Sequence, residues 1–186
     1  MKLVEKHTIS ENHSFYKEID NLSFLSKNLY NQANYRVRQS FINEREYLNY
    51  NIIEKQLQNQ TDYKALPAKV SQQILIQLDK NWKSFLASIK DYSDHSEKYS
   101  GRPKIPKYKK KLTGRNILIY TIQAISKKEL KNGIVKLSGT NIKIKTDKNN
   151  IQQVRIIPGN REYIIEIVYE KEEIILNLNE RHSSET

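Results

Sequence analysis

Apolar residues recur along this chain with two different periods, and the change of period divides it. From about residue 13 to 43, Phe15, Ile19, Leu22, Leu25 or Ser26, Leu29, Ala33 and Val37 fall three or four apart, which predicts a long amphipathic helix. Asn12 and Ser14 are its candidate N-caps. A second helical pattern runs from Leu66 to about Asp91. Leu66, Val70, Ile74, Leu78 and Trp82 recur every fourth residue, and Leu75, Phe85, Leu86 and Ile89 widen the stripe. Pro67 suits its first helical position. Between the two, Ile52, Ile53 and Leu57 predict a short helix, and Asn59–Asp62 a turn leading into the next one. Tyr30 and Tyr35 read as core or half-core residues.

After Arg115 the period shortens to two. Residues 116–123, 133–139, 140–146, 152–158 and 161–170 are short runs rich in β-branched residues, punctuated by Gly133, Gly139, Asn149–Asn150 and Pro158–Gly159–Asn160. The last two runs should pair as a hairpin, with Tyr163, Ile165, Ile167 and Tyr169 on one face. Leu3, Glu5, His7 and Ile9 alternate as a strand near the N-terminus, and Ile174–Leu178 adds one near the C-terminus. Several short strands in sequence suggest a small antiparallel barrel of the kind that binds oligonucleotides. The expected class is therefore α+β.

Charge changes the picture from fold to partner. The 186 residues carry 32 Lys and Arg against 21 Asp and Glu, a net charge of +11, and the sequence pI is about 9.6. Such an excess points to a polyanionic partner. It is concentrated between Gly101 and Arg115, where Arg102, Lys104, Lys107, Lys109, Lys110, Lys111 and Arg115 stand with no acid among them. Pro103 and Pro106 keep this strap extended, and Tyr108 adds an aromatic ring, a combination suited to following a phosphate backbone. On the Leu66–Asp91 helix, Lys69, Lys80, Lys83 and Lys90 fall on one arc opposite the apolar stripe, since residues advance about 100° each. Arg36, Arg38 and Arg45 cluster toward the end of the first helix, serving either its dipole or phosphate contact. Lys136, Lys143, Lys145 and Arg155 either line a binding face or protect strand edges.

Two blocks, KNLYNQANYRVRQSF at 27–41 and LPAKVSQQILIQLDKNWKSF at 66–85 followed by GRPKIPKYKKK at 101–111, resemble the N-terminal half of the TnpB (OrfB) proteins of insertion sequences. These are RNA-guided nucleases related to type V CRISPR effectors, long described as transposases. The resemblance implies a helical recognition (REC) domain, about 11–112, inserted into a small antiparallel β-barrel, the wedge (WED) domain, formed by strand 1–10 and residues 113–183, with a tail at 184–186. It implies a partner in guide RNA, target-adjacent duplex DNA, or both. It also places Lys69 and Gln73, one turn apart, near the motif bases, where Gln suits adenine edges and Lys suits guanine or thymine acceptors. As surface residues of a helix, the same two are equally well explained by solvation.

The family cuts DNA with an RNase H-like (RuvC) domain, whose separated carboxylates hold two divalent metals. No strand of the D-L-G kind that opens such a domain is found in these residues, and there is no cysteine for the family's zinc ribbon. The expectation is a binding module without its own catalysis, a metal or a cofactor, which a separately encoded nuclease could complete. A stand-alone helix-turn-helix-like regulator is the rival. Asp91, Asp94, His95 and Glu97 match no metal-loop spacing, and the four histidines are scattered. There is no apolar run near the ~18 residues of a membrane span, and no apolar leader at residues 1–15. A cytoplasmic, nucleoid-associated protein is the simplest expectation.

Overall fold

In a computed structural model of the chain, residues 1–171 are described, and they form an α+β fold. Strand β1 (Lys2–Ser10) is followed by helices α1 (Tyr16–Asn43), α2 (Tyr50–Leu57), α3 (Thr61–Lys64) and α4 (Ala68–Asp94). Then come β2 (Leu118–Thr121), the short α5 (Lys127–Leu130), β3 (Ile134–Lys136), β4 (Lys143–Lys145), β5 (Ile151–Pro158) and β6 (Glu162–Glu170). The expected strand at Ile174–Leu178 and the tail lie outside the described residues.

The strands pair as an antiparallel sheet of order β1-β6-β5-β2, with a separate β3-β4 ribbon. Among the described residues the larger sheet is open, its edges being β1 and β2, and no closed barrel forms. The first four helices thus fall, in chain order, between two strands of one sheet.

β6 is central because alternate residues of both its faces have partners. Tyr163, Ile165 and Ile167 are buried against the helices. On the opposite face Glu166 receives Lys6 from β1 at 3.5 Å and Arg155 from β5 at 2.7 Å, a cross-strand triad. Arg155 is thereby occupied by Glu166, while Lys145 is exposed on β4. The β5–β6 hairpin closes through Gly159–Asn160–Arg161, with the Gly159 amide donating to the Glu162 carbonyl at 2.8 Å.

α1 and α4 cover the sheet and share one core with it. Ile19, Leu29, Ala33, Ile74, Leu78 and Trp82 from the helices join Leu118, Tyr120, Ile156 and Ile165 from the strands. Burying each such side chain is worth about 1.5–3 kcal/mol, so this shared core holds the two layers together. Several local expectations are corrected. α1 begins after Phe15 with no side-chain cap, and it is the His13 ring that accepts from the Phe15 amide, at 3.1 Å, rather than an Asn12 or Ser14 cap. Pro67 is the N-cap of α4, its carbonyl accepting from Val70 and Ser71. The polar stretch after Asp91 continues the helix to Asp94, where Asp91 accepts from the Tyr99 hydroxyl at 2.7 Å. Tyr30 is buried, but Tyr35 is 57% exposed on the outer side of α1. Among the described residues no helix is long and apolar enough to cross a membrane.

Candidate nucleic-acid interface

The basic strap lies along α1, antiparallel to it, and is held there by its backbone. Lys27, Asn31, Asn34 and Arg38 succeed one another at helical spacings of four, three and four, so they share one face of α1. Lys27 Nζ donates to the Lys111 carbonyl at 2.6 Å. Asn31 makes two bonds to Lys109, accepting from its amide at 2.8 Å and donating to its carbonyl at 2.9 Å, as a neighbouring strand would. Asn34 Nδ2 and Arg38 Nη1 both donate to the Pro106 carbonyl, at 3.0 and 2.9 Å. Further along, the Asn116 amide donates to the Ser23 carbonyl at 3.1 Å.

This ladder has a consequence for charge. Because α1 takes up backbone groups of the strap, the side chains of Lys104, Lys107, Lys109, Lys110 and Lys111 stay exposed, with Lys109 Nζ lying 5.4 Å over the Tyr30 ring. Among the described residues none of them, nor Arg102, has an acid within salt-bridge distance. An extended segment would ordinarily lose much conformational freedom on meeting a ligand; here the backbone is already ordered.

The deepest member of the ladder is Asn34, fully buried. Its Oδ1 accepts from Trp82 Nε1 at 3.0 Å while its Nδ2 reaches Pro106. Trp82 can only donate and a proline carbonyl can only accept, so the amide has one orientation. Asn34 therefore couples the strap to α4 through the core. Arg38 also lies 4.8 Å over the Tyr108 ring, holding one face of an aromatic that is otherwise 43% exposed.

Lys27 is the unusual cation. Only 2% exposed, it sits 3.6 Å over the Phe24 ring with no carboxylate in hydrogen-bond contact. Burial pushes its pKa down, and nearby Arg115 and Lys111 push it further, against a weaker pull from Asp62. Arg115 behaves oppositely. It grips Asp20 with Nε and Nη2, both at 2.8 Å, and Tyr163 donates to the same carboxylate at 2.7 Å. The Arg115 bond, helped by Tyr163 and opposed by burial, holds the Asp20 carboxyl below its usual range. This clamp ties the end of the strap to α1 and β6.

Between the strap and α4 runs a groove of about 510 Å³. Its α4 wall presents Asn81, Ser84, Phe85 and Ser88, and its strap wall Pro103, Lys104, Pro106, Lys107, Tyr108 and Lys109, with Tyr30 at the floor. No acid lines it.

The sequence-predicted residues thus fall into separate groups. Arg38, Lys104, Lys107, Tyr108, Lys109, Lys110 and Lys111 are brought together at the strap. Lys80 and Lys83 lie on the same stretch of α4 without lining the groove, and Lys83 pairs with Asp79 at 2.7 Å. Lys69 and Gln73 sit at the other end of α4, about 18 Å along the axis from Asn81 to Lys69, near the loop whose Gly139 abuts Pro67. Arg36 approaches Gln56 of α2 at 3.4 Å, and Arg115 is occupied by Asp20. The anchoring residues Lys27 and Asn34 were not singled out beforehand; the signal was their polar spacing beside the apolar stripe of α1. Among the described residues no three His, Cys, Asp or Glu side chains gather as a metal site. No protein-family model matches the chain, and no curated protein is similar to it.

Proposed function

We propose that this chain is the nucleic-acid-binding module of a TnpB-like, RNA-guided transposon nuclease, holding guide RNA and target-adjacent duplex DNA through the strap. The supporting observation is the strap itself: an extended segment tied down by its carbonyls and amides, with a row of lysines turned outward and no acid beside them. That arrangement grips phosphates irrespective of sequence. In this reading α1–α4 form the inserted recognition domain, about 11–112, and the open sheet with the β3–β4 ribbon belongs to a wedge-type barrel spanning 1–10 and 113–183. Lys69 and Gln73, at the opposite end of α4, are placed to meet base edges while the strap holds backbone.

Catalysis is assigned to no residue here; strand cleavage belongs to the family's nuclease domain. The test is a binding comparison between a structured RNA hairpin and a DNA duplex of mixed sequence, with the chain and its Lys109→Glu/Lys110→Glu/Lys111→Glu variant. The reading expects the chain to prefer the structured RNA over the mixed-sequence duplex, with binding weakened alike across all sequences in the variant. A chain that ignores RNA and selects one duplex sequence is a regulator instead.

A further inference from the structure

The groove between strap and α4 is built for more than phosphate. Its walls combine apolar surfaces (Phe85, Pro106) with the Asn81 amide and the hydroxyls of Ser84 and Ser88, which recur on one face of α4. Neither serine hydroxyl makes a hydrogen bond among the described residues. We propose that the groove receives one unpaired RNA nucleotide, its base lodged between these walls, its phosphates held at the rim by Lys104 and Lys107. This rests on the nucleic-acid reading above and deepens it.

The volume, about 510 Å³, lies within the range of small-ligand sites. A cationic rim without acids favours an anionic occupant. A free nucleotide would use only the groove, whereas the cations continue past its Lys109 end to Lys110 and Lys111, as a longer strand requires. A duplex offers phosphates but keeps its bases stacked inside; an unpaired nucleotide offers both a backbone and a free π-face. The Ser84 and Ser88 hydroxyls, which lack protein partners among the described residues, match the ribose 2′-hydroxyl and base edges, which selects RNA, while the Asn81 amide already donates to the Tyr30 hydroxyl at 3.4 Å.

The test uses the intact chain and a fluorescent RNA hairpin bearing a single-stranded tail of about six nucleotides, enough to cross one such site. Three further probes carry the same tail without bases, the same tail in deoxyribose, or no tail. Stacking of one base predicts that the abasic tail binds about tenfold more weakly to the unaltered chain. The substitution Ser84→Trp, which fills the groove from an exposed helix position, should weaken binding to the base-bearing tail similarly and leave the abasic tail unaffected. Equal affinity for base-bearing and abasic tails, or for ribose and deoxyribose tails, overturns the proposal while leaving strap binding in place. Failure to bind any of the probes overturns the nucleic-acid reading with it. The abasic comparison needs no variant, so a misfolded Ser84→Trp protein does not rescue the proposal.

Discussion

Replacing Asn34 with alanine removes a buried side chain that hydrogen-bonds the strap on one side and α4 on the other. Two bonds disappear, the 3.0 Å bond from Trp82 Nε1 and the 3.0 Å bond to the Pro106 carbonyl. The Pro106 carbonyl keeps its Arg38 partner at 2.9 Å. The Trp82 N–H does not recover, because the residue is fully buried and out of reach of solvent. An orphaned buried donor costs about 1–3 kcal/mol, and with the small void left behind the total is about 2–4 kcal/mol. Against a typical domain stability of about 5–15 kcal/mol the protein still folds. Asn31→Ala is the contrast. It also removes two bonds, but both Lys109 groups lie at the surface and turn to water, so the cost is about 0.5–1.5 kcal/mol and local to the strap. Urea denaturation followed by Trp82 fluorescence should show a clear loss for Asn34→Ala and little for Asn31→Ala. Trypsin cleavage after Lys107 or Lys109 should quicken in both. A loss below about 1 kcal/mol in Asn34→Ala, or strap cleavage unchanged in Asn31→Ala, refutes the view that these amides hold the strap in place.

Other consequences concern the charged groups around it. Asp20→Asn should destabilise by about 1–2 kcal/mol at neutral pH, the discount from a fully buried pair reflecting its partial exposure. Because the folded-state pKa of Asp20 is depressed, that difference is present above the ordinary carboxylate range, near pH 4, and vanishes as pH falls through the lower folded value; an advantage for the unaltered protein persisting in strong acid contradicts it. Lys27→Met keeps the packing over Phe24 and removes a cation that burial disfavours. With its pKa lowered in the fold, Lys27 should gain stability relative to the methionine variant as pH rises from its folded value toward about 10.5. A pH-independent difference between the two would show that Lys27 titrates normally.

The long elements were legible because their burial is periodic. α1, α4 and the β5–β6 hairpin each repeat an apolar residue on one face often enough to override local ambiguity, and the core uses those residues. What was not legible depends on partners distant in sequence. Arg115 reads as one more strap cation until Asp20, 95 residues away, is seen beside it. Asn34 reads as a polar residue on a helix until Trp82 and Pro106 meet it from opposite sides. Tyr35 reads, with Tyr30, as a core or half-core residue, yet the 3.6-residue turn that buries Tyr30 and Ala33 turns it outward. Local chemistry misled at the ends of helices, where the His13 ring serves as acceptor near the start of α1 and Pro67 precedes α4 rather than opening it. The extended strap was foreseen from its prolines, but not its anchoring along α1, since side-chain-to-backbone bonds leave no periodic trace in the strap itself.

The salt dependence of RNA binding tests the central claim most directly. Each phosphate contact contributes about 0.7 to the log–log slope for a single strand, so removing three strap lysines together (Lys109→Glu/Lys110→Glu/Lys111→Glu) should flatten the slope by roughly 2 and weaken binding to every sequence alike. A slope that stays the same in the triple variant would contradict the account.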